Sequence, residues 1–171
     1  MIDLDKYIRT IQDFPVKGVL FRDITPLLLN PEAFNFVIDL LAQRYENSPI
    51  HKIAAIESRG FIFGAPLANR LNVGFIPIRK KGKLPYKILS LTYDLEYGSD
   101  TIEIHDDAIT KGENILLIDD LIATGGSLCA SIELIEKAGG TIYEVTTIIE
   151  LMDLNGREKI DKYNLYTLLK Y

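Results

Sequence analysis

Cysteine is nearly absent from this chain. One residue in 171, Cys129, leaves no internal disulfide and no thiolate cage for zinc. Histidine is almost as scarce: His51 and His105 stand far apart in the sequence, which excludes a His-rich metal site. No apolar run reaches the roughly 18 residues of a spanning helix, and the first residues include Asp3 and Asp5 instead of a basic leader. An excess of positive charge is also missing. The 19 Lys and Arg against 24 Asp and Glu leave a net −5, which argues against a dedicated nucleic-acid binder. What is present, 47% apolar and 25% charged residues, is the composition of a globular protein. The expectation is a reduced, soluble, cytoplasmic protein built as one domain over residues 1–171. A chain of this size can bury about 70% of its unfolded surface without crosslinks.

Apolar periodicity supplies the elements. Leu4, Tyr7, Ile8 and Ile11 follow helical spacing, so residues 3–12 read as a short amphipathic helix. An irregular arm with Pro15, Gly18 and Pro26 covers about 13–30. Asn30-Pro31-Glu32 then starts a helix running to residue 46, with an N-cap, a proline in the first turn and an acid behind it. Short apolar strands follow at 53–56, 74–79, 115–118, 145–151 and 165–169, alternating with helices at 61–71 and 126–138. Residues 80–102, with four lysines and two glycines, read as a long excursion. Continuously apolar strands alternating with helices imply an α/β fold, a central mostly parallel sheet flanked by helices. In such a sheet a ligand sits beyond the carboxyl ends of the strands, here after Ile56, Arg79 and Ile118.

The third of these loops is the most informative. Ile115–Ile118 forms a buried strand that delivers Asp119 and Asp120 at its carboxyl end, which is expected to be exposed. Leu121, Ile122, Ala123, Thr124, Gly125, Gly126 and Ser127 lead into a helix. Backbone amides bared by the glycines, the two hydroxyls and the positive helix end make a cradle for an anion. The loop lacks the Gly-Lys-Ser/Thr of a Walker loop and the Gly-x-Gly-x-x-Gly of a dinucleotide site. Carboxylates that accept from hydroxyls beside a phosphate cradle suit a sugar 5-phosphate.

This segment resembles the phosphoribosyl-diphosphate (PRPP) signature of the type I phosphoribosyltransferases. Pro15–Leu28, Glu57-Ser58-Arg59-Gly60-Phe61, Arg79–Pro85 and Leu95-Glu96-Tyr97-Gly98 resemble the adenine branch of that family, in matching order from about Phe14 to the last strand. One departure is Glu57, where relatives often carry Asp. The resemblance implies a Rossmann-like core with a flexible lid or hood, and the transfer of phosphoribose from PRPP to adenine, giving AMP and diphosphate in purine salvage. It implies that Asp119 and Asp120 hold the ribose hydroxyls and that Ala123–Ser127 (Ala123, Thr124, Gly125, Gly126, Ser127) hold the 5-phosphate. It implies that Glu57, Ser58 and Arg59 line the diphosphate, with Arg59 also near the base, and that Arg79, Lys80 and Lys83 supply cations to the leaving group. Glu96 would manage the proton at adenine N7. Tyr97 would sit with it on a lid at about 80–102 that excludes water. In the arm, Leu20, Phe21 and Arg22 would bind adenine, Phe21 by stacking and the other two by their backbone. The resemblance further implies Mg²⁺ held mainly through substrate oxygens, and a homodimer in which part of the basic segment approaches the neighbouring subunit's site. No role falls to His51, His105 or Cys129, and no membrane or nucleic-acid partner is expected. Two other readings stay open at this point: the same fold acting on guanine, hypoxanthine or xanthine, and a regulator that binds PRPP without turning it over.

Overall fold

The computed structural model describes residues 2–94 and 98–171. The chain forms two compact units, Met1–Arg44 and Tyr45–Tyr171.

The first unit departs from the periodicity. In place of a helix over 3–12 there is a 3-10 turn, Leu4–Tyr7, followed by strand β1, Arg9–Gln12. β1 pairs antiparallel with β2, Leu20–Asp23, in the register Arg9↔Asp23 to Gln12↔Leu20. Leu4 and Ile8 are buried, as a helix would have them, but cross-strand bonds decide the conformation after Ile8. The Arg9 guanidinium grips the Asp23 carboxylate through two nitrogens at 3.0 and 2.7 Å, and Arg22 donates to the Thr10 hydroxyl. Such pairing is non-local and invisible to a spacing rule. Helix α1, Thr25–Leu29, occupies part of the expected irregular arm. Helix α2, Pro31–Tyr45, begins where the Asn-Pro-Glu signal places it, and Asn30 Oδ1 accepts the Ala33 amide at 2.9 Å as the N-cap.

The second unit is a seven-stranded sheet in the order β5-β6-β4-β3-β7-β8-β9. Its strands are β3 Lys52–Ile56, β4 Gly74–Lys80, β5 Ile88–Asp94, β6 Ser99–His105, β7 Asn114–Ile122, β8 Thr141–Glu150 and β9 Leu165–Lys170. The pairs β3–β4, β3–β7, β7–β8 and β8–β9 are parallel, while β6 joins β4 and β5 antiparallel. Ile115, Leu116, Leu117 and Ile118 of β7 are fully buried, as their unbroken apolar run requires of a central strand. Helix α3, Arg59–Leu71, makes the crossover from β3 to β4, and α4, Gly126–Lys137, makes the one from β7 to β8. These crossovers run in opposite directions from the adjacent strands β3 and β7. The strand order therefore reverses between them and opens a crevice at their carboxyl ends. The excursion at 80–102 is more regular than its composition suggests: its described residues form most of the β5–β6 pair, and β5 packs against α4. Among the described residues no helix is long and apolar enough to cross a membrane.

Candidate active site

The crevice is a cleft of about 470 Å³ lined by Glu57, Ser58, Arg59, Arg79, Lys80, Tyr93, Asp100, Asp119, Asp120 and Ser127, on a floor of Ile56, Ile78 and Ile102. A smaller hollow of about 220 Å³ adjoins it, sharing Arg59, Asp119, Asp120 and Ser127 and formed otherwise by residues 121–128. Four sequence segments, 56–59, 78–80, the β5–β6 pair and 119–128, thus meet at the carboxyl ends of β3, β4 and β7.

β7 runs past Ile118 to Ile122, so Asp119 and Asp120 lie within the strand and not on a loop. The expectation that they stand exposed is corrected. Asp120 is only 3% exposed, and Asp119 is partly covered. Their environment follows from the packing of α3, whose first turn crosses the strand end. A side chain on Gly60 would stand 2.9 Å from Asp119 Oδ1 and 3.1 Å from the Ile118 carbonyl, so only glycine permits this approach. The approach brings Arg59 Nε to 3.0 Å from Asp120 Oδ2. That oxygen is nonetheless buried without an aligned hydrogen bond. Burial, reinforced by the Asp120 charge, raises the Asp119 acid well above the usual carboxylate range. Burial also raises Asp120, against the pull of Arg59.

The loop after β7 turns at Gly125, whose φ of +77° lies in the left-handed region. This turn aims the start of α4 and its unpaired amides into the smaller hollow. Its outer side rests on Gly156: a Cβ at Gly125 would meet the Gly156 carbonyl at 2.5 Å, and one at Gly156 would strike the Ala123 carbonyl. Gly156 opens a 3-10 turn reaching Ile160, and the turn is fastened by Arg157. That guanidinium holds the buried Glu150 carboxylate at 2.8 and 2.6 Å and donates to the Leu165 carbonyl at 3.0 Å. Nothing in the spacing of Asn155-Gly156 beyond a turn signal indicated this support.

On the opposite wall Glu57 gathers the basic segment. Lys83 Nζ lies 2.7 Å from its Oε1, while Arg79 Nε and the Lys80 amide donate to Oε2 at 3.3 and 3.1 Å. These partners outweigh the effect of burial and hold the carboxyl down at about 2. Lys80 Nζ reaches Asp100 at 3.3 Å. The Tyr93 hydroxyl stands 3.3 Å from Ser127 Oγ. Tyr93 and Asp100 were not singled out in the sequence. Each lies in a segment without a motif, and only the β5–β6 pairing carries it to the cleft.

Leu20, Phe21 and Arg22 fall on β2 of the first unit, where Phe14 meets the Phe21 ring edge-on at 5.1 Å between centroids. Glu96 and Tyr97 lie outside the described residues.

A family model of the phosphoribosyl transferase domain matches residues 24–169. The adenine phosphoribosyltransferase of Halothermothrix orenii is 55% identical over 169 residues, spanning 99% of both chains. Among solved structures, the adenine phosphoribosyltransferase of Thermoanaerobacter pseudethanolicus superposes with a TM-score of 0.95 at 49% identity, covering 98% of each chain. That of Saccharomyces cerevisiae, solved with an imino-altritol bisphosphate and adenine, gives 0.91 at 42% identity, covering 97% of this chain and 96% of its own. With its strand order, its paired carboxylates and its helix-opening glycine loop, this chain belongs to the phosphoribosyl transferase family, among the adenine phosphoribosyltransferases.

Proposed function

We propose that the chain transfers phosphoribose from PRPP to adenine, releasing AMP and diphosphate, with the two hollows at the β3–β7 boundary as the PRPP site. The observation that carries the site is the Asp119–Asp120 pair, the first partly covered and the second buried, beside the Ala123–Ser127 loop. Both aspartates line the two hollows, where their carboxylates can accept from ribose hydroxyls, and Arg59 Nε, 3.0 Å from Asp120 Oδ2, steadies the buried member of the pair. The loop amides and the hydroxyls of Thr124 and Ser127 take the 5-phosphate. Arg59, Arg79, Lys80 and Lys83 face the diphosphate as the C1–O bond breaks, and the aspartates balance the positive charge that develops on the ring. Glu96, on the evidence of its sequence motif, handles the proton at N7, with Tyr97 beside it.

On β2 the backbone groups of Leu20 and Arg22 share one edge of the strand, because alternate residues in a ladder point the same way. That edge can present a carbonyl and an amide two residues apart to the 6-amino group and N1 of adenine, with Phe21 stacking beside them.

The residues suit Mg²⁺ carried by the substrate. Among the described residues no three His, Cys, Asp or Glu side chains come together, so substrate oxygens and water would supply most ligands, with Asp119 and Asp120 nearby to accept from bound water. When bound, the ion neutralises part of the leaving group's charge. We further propose a cytoplasmic homodimer; sedimentation at micromolar concentration reads the assembly.

The deciding assay measures kcat/KM for adenine and hypoxanthine with PRPP and Mg²⁺. Hypoxanthine reverses both edge groups, and two buried mismatches of roughly 1–3 kcal/mol each give a value lower by about 10²–10⁴. Comparable values for the two bases overturn the adenine reading. Chelation of Mg²⁺ abolishes turnover if the ion travels with the substrate.

A further inference from the structure

Each cation lining the cleft already has a carboxylate partner: Arg59 stands at Asp120, Lys80 at Asp100 and Arg79 at Glu57, and Lys83, beyond the lining, also reaches Glu57. Glu57 is the pivot of this arrangement, because one carboxylate holds two side-chain cations and the Lys80 amide. The basic segment curls around it, with Arg79 also donating to the Lys83 carbonyl at 3.1 Å and the Gly82 amide donating to Glu103 at 2.9 Å. Glu57 thus presents oxygens to the donors that a diphosphate group would use, at the place where that group would bind.

We propose that Glu57 is an internal competitor of diphosphate: it holds Arg79 and Lys83 in position while the site is empty, and it takes them back as the leaving group departs. This rests on reading the cleft as the diphosphate site. A polyanion entering here meets a carboxylate that must give up its cations or share them at the cost of like-charge repulsion. Either way Glu57 weakens the grip on diphosphate while sparing the segment the entropy of reordering two long side chains at each cycle. A residue that merely binds substrate, or merely holds the loop, would act in the opposite direction when removed. The carboxylate stays ionised across any working pH, so only substitution removes the competition.

The test titrates full-length protein with Mg²⁺-diphosphate, and separately with ribose 5-phosphate, which engages the other hollow. Glu57→Gln should bind diphosphate roughly 10-fold more tightly, and its product inhibition by diphosphate should tighten equally. Ribose 5-phosphate affinity should stay within about twofold. Weaker or unchanged diphosphate binding overturns the proposal. Should Glu57→Gln not fold, Glu57→Asp carries the test: it keeps the charge but is a methylene short of spanning both cations. A smaller tightening in the same direction is then expected, and its absence overturns the proposal. Arg79→Ala separates this inference from the site reading, because Arg79 lines the cleft and is held by Glu57. If it leaves diphosphate affinity unchanged, diphosphate binds elsewhere and the reading falls together with the proposal. If Arg79→Ala weakens binding while Glu57→Gln does not tighten it, only the competition is lost.

Discussion

Burial and the neighbouring Asp120 carboxylate both push the Asp119 acid upward, so ionising it at neutral pH costs the folded chain stability. A raised acid favours the fold below its unfolded value and loses that contribution as pH climbs through the folded one. Asp119→Asn should therefore raise Tm at pH 7, by about 2–4 °C for each kcal/mol relieved. The amide oxygen can still accept the Asp120 N–H, a 2.9 Å bond in the native chain. If Asp119 holds a ribose hydroxyl, the same substitution lowers turnover about 10- to 100-fold. Calorimetry beside a rate assay checks both, and a variant that is less stable at pH 7 contradicts the electrostatic argument. For Glu96→Gln the expected loss is about 10²–10⁴ in kcat, with PRPP binding retained. A change confined to the KM for adenine would make Glu96 a binding group instead. The place of the aspartate pair at the end of an apolar strand was legible in the run from Ile115 to Ser127. Its burial was not, because the covering groups come from α3, some sixty residues earlier.

At the scale of elements, the Ala123–Ser127 loop proposed to hold phosphate has a rigid backing. Gly156 lies against the backbone of Ala123 and Gly125, and Arg157 ties that turn to Glu150 and β9. A methyl at position 156 meets the Ile122 side chain but also the Ala123 carbonyl and the Gly125 nitrogen, backbone that no rotamer change can clear, so the loop itself must move. Crowding of this kind costs about 1–3 kcal/mol. Gly156→Ala should raise the KM for PRPP and weaken ribose 5-phosphate about 10-fold or more, while diphosphate alone binds as in the parent. Parallel titrations check this, and equal weakening of both ligands would point to general damage. Arg157→Met should show a milder form of the same selectivity. The motif from Asp119 to Ser127 is written contiguously and can be found by inspection. Its support arrives thirty residues later through a crossover, so no local rule finds it.

For the whole molecule, opposed carboxylates shape stability against pH. Glu57 is held at about 2, Glu113 is depressed by Lys52 at 2.7 Å and by the Thr110 amide, and Asp23 by Thr25 and Arg9. Depressed acids stabilise above their unfolded values and lose that contribution as pH falls, which for Glu57 runs from 4.5 to about 2. Asp119 and Asp120 act oppositely and regain stability on acidification. The expected profile rises gently from neutral towards mildly acidic pH and drops below about 4.5. Glu113→Gln should flatten the acid drop and leave the gentle rise unchanged. Thermal melts from pH 7.5 to 2.5 test this, and a Tm falling steadily from neutral pH contradicts it.

By itself the sequence determined the parallel core and the start of α2 at Asn30, because apolar runs and a helix cap are written in contiguous residues, and it carried the family through the resemblance of several segments in matching order. Runs such as Ile115–Ile118, alternating with helical segments, indicate buried strands, whereas two glycines before a helix indicate an anion cradle only together with the carboxylates and hydroxyls around them. The tertiary structure alone decided which charges pair, which carboxylates are buried and what stands behind the Ala123–Ser127 loop. It also decided that residues 9–12 are a strand although their spacing suits a helix. Those outcomes depend on groups far apart in the chain. Coulomb attraction, desolvation and steric contact act through space, and neither residue type nor periodicity records distance until the strands have paired.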